Sequence, residues 1–489
     1  MKIFKLILFL SITIPFIGCK KYLEKEPRKQ TTIQTVDQLQ ALIDNATAFT
    51  YDGNNATAAY STDDTEIPMD SYKKFSTKWS IENLYSYVFN VDQIVGFATD
   101  PLWSGEYKKI FTANLILYNI DKVTGDNTVR EQVRADAYFI RAYSYWVLAN
   151  HYCLPYSATN LNELGLPLKK TVSYDEPLTR STLKETYDFI ESDLVEAAKV
   201  AVDDVDPLKR WRVSKKAIQA FLSRYYLFTG DYDKSLENSN LALASTGATL
   251  VDFKTIQAGT PATYTNPSVT LNYSELNNWS ASQYLYWGEF YYARFSYTSG
   301  QWWLPSTALQ SLYDKSNDLR YKWLMIENGG RRFSVLDPLV RYSYFFDGRY
   351  IPTGPTVAEM LLNKAEVLAR KGQIADAMTA VNTLRLKRLI NNDPLTASDK
   401  DDAINKVLEE RRREMPFAMR WFDIRRFSVN DYPGDDVTVN HTFFKVGIGV
   451  VDTTTTVNYT LSPGSKRYAV PINGVEMDAS QGQIIQNNY

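Results

Sequence analysis

Residues 213–244 read VSKKAIQAFLSRYYLFTGDYDKSLENSNLALA, and their spacing decides the fold class. Helical periodicity predicts two helices, Val213–Thr229 and Tyr232–Ala244, on either side of Gly230. With Gly230 as the turn glycine, Ser223 takes a small helix-contact position and Tyr226 an aromatic one. Tyr232, Ser235 and Ala242 supply an aromatic and two small residues in the second helix. Small residues at those places let two helices approach closely, so the pattern concerns packing.

By position this is the pattern of a tetratricopeptide unit, a repeat of roughly 34 residues built as a helix–turn–helix. Gly372 fits it more weakly, with Ala365 and Ala377 at the same offsets. Periodicity also predicts helices over Val36–Ala48, Trp103–Ile120, Val129–Tyr152 and Ser181–Val200, the last with Ser181 as N-cap. Thr356–Arg370, Ile374–Leu389 and Ala403–Arg413 complete the set. Residues 49–101, rich in Asp, Asn, Ser and Tyr, read as long loops, and 247–355 and 428–489 as β-containing or irregular. The expected fold is mainly α. A single domain over 36–489 has helical pairs within 103–246 and 356–416, and a long-loop, partly β region beside them.

The amino terminus is an address. Lys2 and Lys5 precede an apolar run, Ile3–Ile17, of about 15 residues, whereas a spanning helix needs roughly 20. Residues 1–18 therefore read as a signal peptide, ending at Ile17-Gly18-Cys19. A small residue before cysteine is a lipobox, so Cys19 is expected to carry lipid and residues 19–35 to form a polar tether. Stable anchoring needs more than one acyl chain. No later segment is apolar for long enough to span a membrane.

Losing Lys2 and Lys5 takes the formal charge from −2 to −4, which leaves no electrostatic footprint for nucleic acid. Only His151 and His441 are present, which excludes a three-histidine zinc site, HExxH or a Cys/His finger. With Cys19 acylated, Cys153 has no disulfide partner in the chain. Carboxylate-only calcium sites stay open, although Asp231-x-Asp233-x-Ser235 lacks the loop glycine and falls in the helix turn. No cofactor or metal is expected. The aromatic content is 14%, with 34 Tyr against 23 Phe and 10 Trp. Tyrosine joins an apolar face to a polar rim, which suits wet binding surfaces and helix packing alike.

Several motifs in order resemble the SusD/RagB family. They begin with Cys19-Lys20-Lys21-Tyr22-Leu23-Glu24-Lys25-Glu26-Pro27, then Arg134-Ala135 through Arg141-Ala142-Tyr143 to Leu154-Pro155. Glu359 with Asn363-Lys364-Ala365-Glu366, and Asn382-Thr383-Leu384-Arg385, follow. The strongest is Glu409 to Arg426, containing Arg411-Arg412-Arg413-Glu414 and Arg420-Trp421-Phe422-Asp423-Ile424-Arg425-Arg426. Val470-Pro471-Ile472 and the terminal Gln486-Asn487-Asn488-Tyr489 close the match. Where the family often has Glu-Gly, this chain has Ala418-Met419, which leaves the acidic partner of those arginines open. Interleaved with Glu409, Glu410, Glu414 and Asp423, the arginines read as helix-locking charge pairs.

The resemblance implies an outer-membrane lipoprotein, facing the exterior, whose helical half packs against a TonB-dependent transporter of the SusC type. The protein would act as a lid that captures oligosaccharide and passes it inward, without catalysis. Candidate ligand residues are loop aromatics: Tyr72 and Trp79 near Asp63-Asp64 (with Phe75), then Trp279, Tyr284 and Trp287, then Trp302 and Trp303. Rings would meet the apolar faces of sugars, and nearby amides and acids their hydroxyls. Peptide uptake, which some family members serve, and a protein-interaction scaffold are the alternatives. Glycoside hydrolysis needs two carboxylates flanking the bond; among 56 acids some pair, Asp63 and Asp64 included, can always be proposed, but no carboxylate motif stands out.

Overall fold

The computed structural model describes residues 33–259, 262–265, 268–271, 274–297, 303–326, 342–343 and 350–489. The helices that carry the architecture are α1 (Val36–Asp44), α2 (Pro101–Asn119), α3 (Asn127–Tyr152), α4 (Leu183–Ala197), α5 (Lys215–Thr229) and α6 (Tyr232–Leu243). After an irregular middle come α7 (Val357–Arg370), α8 (Ile374–Arg385), α9 (Lys400–Glu414) and α10 (Ala418–Phe427). Cys19 and Trp302 lie outside the described residues.

The fold is mainly α, as the periodicity requires. Gly230 ends α5 at φ +83°, and Gly372 follows α7 at φ +76°. An L side chain there would be strained, so glycine suits both turns. Across the α5–α6 turn the small residues bring the backbones together: Ser223 Oγ lies 2.7 Å from Ser239 Oγ, and Ser235 Oγ donates to the Ser223 carbonyl at 2.9 Å. Behind them α3 buries Phe139, Tyr143 and Trp146 against Phe221, with ring centroids 5.4, 4.6 and 5.7 Å away.

Helix ends differ from expectation where side chains have other work. Thr182, not Ser181, caps α4, in a capping box with Glu185. Ser181 Oγ instead donates to the Leu166 carbonyl at 2.9 Å. α8 stops at Arg385 rather than Leu389, and the turn beyond it lets Arg388 reach Glu414 and Glu289. Residues 49–101 are not long loops: they form short helices Ala56–Tyr60, Met69–Phe75, Ile81–Tyr87 and Val91–Val95. Each has at most two turns, too little chain for a 3.6-residue period to register.

The β content is small. β1 (Tyr51–Asn54) pairs in parallel with β2 (Phe295–Tyr297), which pairs antiparallel with β3 (Tyr350–Pro352). A hairpin of β4 (Val439–Gly447) and β5 (Val450–Leu461) follows α10.

The arginine-rich segment is a charge-paired seam. Arg411 Nε donates to Asp423 at 2.7 Å and its Nη1 to Asn363 at 2.7 Å. Arg426 makes a bidentate pair with Glu366 at 2.6 and 2.7 Å. The acidic partner that Ala418-Met419 leaves open is Asp63, which accepts from Arg420 Nε and Nη2 at 3.0 and 2.9 Å. Asp64 takes Arg412 Nε at 2.6 Å and the Phe417 amide at 2.9 Å, so both acids of that pair are engaged. That amide belongs to a non-glycine residue at φ +61°, a sparsely populated conformation held by the bond.

Candidate ligand-binding site

The aromatics singled out in the sequence go mostly to the core, and their expected exposure is corrected. Tyr72 packs edge-on against Phe443 at 5.2 Å, under the β4–β5 hairpin. Trp303 lies 5.5 Å from Phe417, and Trp79 is buried in the same core. Tyr284 and Trp287 belong to a second cluster with Phe253, Phe290 and Phe295. These five rings are 0–7% exposed. Burying such a ring removes a large apolar area from water, which favours the core over an exposed loop. Trp279 is half-buried, 6.1 Å from Trp287, so the structure does bring Trp279, Tyr284 and Trp287 together. Asp231 caps α6, and Asp233 pairs with Lys371. Among the described residues, no group of three or more His, Cys, Asp or Glu could hold a metal ion.

A concave polar site opens instead beside β1 and the start of α2, with a volume of about 300 Å³. Gly53 makes it possible, because a Cβ there would sit 2.1 Å from the Pro101 carbonyl oxygen. Only glycine lets β1 run so close to α2. Beneath, Arg294 bridges Asp52 and Glu106, each at 2.8 Å, and Lys109 donates to the Tyr51 carbonyl at 2.8 Å. This buried group of two cations and two anions ties β1, the entry to β2 and α2 together. β1 then delivers Asn55, which caps the next short helix through the Ala58 amide at 2.9 Å.

The remaining wall comes from the stretch that looked like loop. Ser80 caps Ile81–Tyr87, and Asn83 Nδ2 donates to Tyr60 Oη at 3.3 Å. Phe97 is half-buried at the rim, lying over Tyr85 with centroids 6.3 Å apart. Asp100 caps α2 through the Trp103 amide at 3.1 Å and accepts from Tyr152 Oη at 2.7 Å. Burial pushes the Asp100 pKa up against those two bonds. His151 closes the back, and burial with the nearby Arg425 drives its pKa down to about 3, so it stands neutral. No Lys or Arg is among the residues described as lining the site. Such a wall of amides, hydroxyls, two carboxyls and one open ring suits a neutral polyhydroxylated molecule better than an anion. Asn55, Ser80, Asn83, Phe97 and Asp100 were not singled out as ligand residues. Their one signal was the Asp-, Asn- and Ser-rich composition of residues 49–101.

Helical pairs beside a polar cavity define a mainly α, helical-repeat class of protein. Residues 21–227 match the family model for starch-binding proteins associating with the outer membrane, and residues 357–489 match that of the SusD family. The chain belongs to the SusD/RagB family. It is 24% identical over 379 residues to a SusD-like protein P2 of Formosa agariphila, covering 67% of this chain and 72% of that one. Its fold is similar to that of a SusD superfamily protein of Bacteroides thetaiotaomicron, with TM-score 0.68 and 18% identity over 93% of this chain and 100% of that one. A SusD-like carbohydrate binding protein of Bacteroides vulgatus gives 0.58 at 17% identity, covering 92% and 97%. A laminarin binding SusD-like protein gives 0.61 at 15% identity, covering 93% and 99%. Family membership carries association with the outer membrane at the cell surface. Among the described residues, no helix is long and apolar enough to cross a membrane.

Proposed function

We propose that the protein is a non-catalytic, cell-surface glycan-binding lipoprotein that captures oligosaccharide and delivers it to a TonB-dependent outer-membrane transporter of the SusC type. The observation that carries this reading is the 300 Å³ site, lined by Asn55, Ser80, Asn83 and Asp100, with the Phe97 ring at its edge. Hydroxyls would pair with the amides and the Asp100 carboxyl, and a sugar's C–H face would meet Phe97. Trp302 and half-buried Trp279 are the aromatics of the original set that this reading retains. Relatives that bind laminarin and other carbohydrate support the class of ligand. Asp63 and Asp64, the example of an acidic pair named above, are tied to Arg420 and Arg412, which argues against hydrolysis there.

Affinity electrophoresis through gels containing laminarin, starch, xylan or alginate tests the reading. Retardation by at least one polysaccharide, lost in Asn83→Ala and Phe97→Ala, is expected. A chain that migrates unchanged through every gel yet binds peptides would overturn it in favour of peptide capture. Hydrolysis of any glycan by pure protein would overturn the non-catalytic assignment. For anchoring, Cys19→Ala should shift the protein from the membrane to the soluble fraction, and unchanged membrane attachment would refute lipidation.

A further inference from the structure

A second concave surface lies on the other side of the α2 amino terminus, with a volume of about 460 Å³. Leu102 lines the first site and Trp103 this one, so the two are neighbours across a single turn of chain. Trp103, Tyr107 and Phe111 fall at i, i+4 and i+8 along one side of α2; Trp103 is buried, its ring centroid 4.8 Å from that of half-buried Tyr107, and Phe111 stands at the open end. Tyr174, from the connection between α3 and α4, lies over Phe111 with centroids 5.9 Å apart and planes 26° from parallel. Tyr174 is 89% exposed and Phe111 37%, the reverse of the buried candidates above. An exposed aromatic pair continuous with an apolar groove is the kind of patch that interaction surfaces use.

Polar groups run through the same groove. Glu476 faces it half-buried, its carboxyl pushed up by burial, with Asp100 nearby and the Trp103 side chain as hydrogen-bond partner. Ser104, Lys169, Thr171 and Ser173 add hydroxyls and one amine. Two open rings, Phe111 and Tyr174, beside hydroxyls and a half-buried carboxyl suit a linear chain that alternates apolar faces with polar edges. An apolar helix would leave those polar groups buried without partners.

We propose that this groove is a further carbohydrate subsite, holding the continuation of a linear oligosaccharide whose first rings occupy the Asn83–Phe97 site. It rests on the glycan reading above and adds that affinity grows with chain length. Calorimetry with a disaccharide and with longer oligomers of whichever gel polysaccharide is retained tests it. Tyr174→Ser and Phe111→Ala/Tyr174→Ala are expected to keep wild-type affinity for the disaccharide and to lose about tenfold for the long oligomers. Tyr174→Ser alters an almost wholly exposed residue, so its melting temperature should match the wild type. Equal affinity of wild type and both variants for every oligomer would overturn the subsite alone. So would unchanged glycan binding with loss of co-purification with the transporter, which would assign the rings to a protein partner. Absence of carbohydrate binding by the wild type would overturn the glycan reading and the subsite with it.

Discussion

Glu366→Gln is the sharpest test of how the arginine seam holds the helical pairs. In the wild type the fully buried Glu366 accepts from Arg426 at 2.6 and 2.7 Å and from Arg370 at 2.9 and 2.8 Å. Breaking a buried pair by removing one partner costs about 3–5 kcal/mol. Here each guanidinium keeps one other carboxylate, Asp423 for Arg426 at 2.9 Å and Asp435 for Arg370 at 2.5 Å. The expected loss is therefore near the lower limit, about 3 kcal/mol. For a chain of this length that is only a few degrees of melting temperature, since the unfolding entropy scales with size. Urea denaturation followed by tryptophan fluorescence is the better measurement, in a double-mutant cycle with Arg426→Met. Coupling of about 1–3 kcal/mol is expected between the two.

The pH dependence follows from the same contacts. Burial pushes the Glu366 pKa up, but Arg426 and Arg370 outweigh it and hold the carboxyl well below the usual range. A depressed folded-state pKa gives stability that is complete above the unfolded value of about 4.3 and fades as pH falls below it. The difference between wild type and Glu366→Gln should thus be constant from about pH 7 to 5 and shrink below about pH 4. A loss under about 1 kcal/mol at neutral pH, the range of a solvent-exposed ion pair, would refute the reasoning.

Trp287→Ala should destabilise by about 3–5 kcal/mol, because the ring fills the cluster with Phe253 and Phe290; selective loss of glycan binding at unchanged stability would show instead a ligand contact. Gly230→Ala should cost about 1–2 kcal/mol in urea denaturation, purely from the positive φ, since nothing lies within 4 Å of the added Cβ. The Cys153 thiol is buried and its pKa is raised by that burial, so iodoacetamide should label it only in denaturant; rapid labelling of native protein would contradict the packing of α3 on the carboxyl terminus.

The helical pairs were legible because they are local: one period, one turn glycine and small residues at fixed offsets specify α5–α6 without reference to the rest of the chain. The charge pattern of Glu409–Arg426 likewise announced a structural seam. Its partners were not legible, since Asp63 lies more than three hundred residues before Arg420 and no spacing rule connects them. The same limit applies to the ligand site. Sequence showed that residues 49–101 are polar and that the irregular segments are aromatic, but not which way any ring points. Burial is a property of the assembled molecule, and it sent Tyr72, Trp79, Tyr284, Trp287 and Trp303 inward while leaving Phe111 and Tyr174 in solvent. Short-range periodicity therefore determined the class of fold, and only tertiary contact, through the close approach of Gly53 to Pro101 and the pairing of β1 with β2, decided where the polar cavity lies.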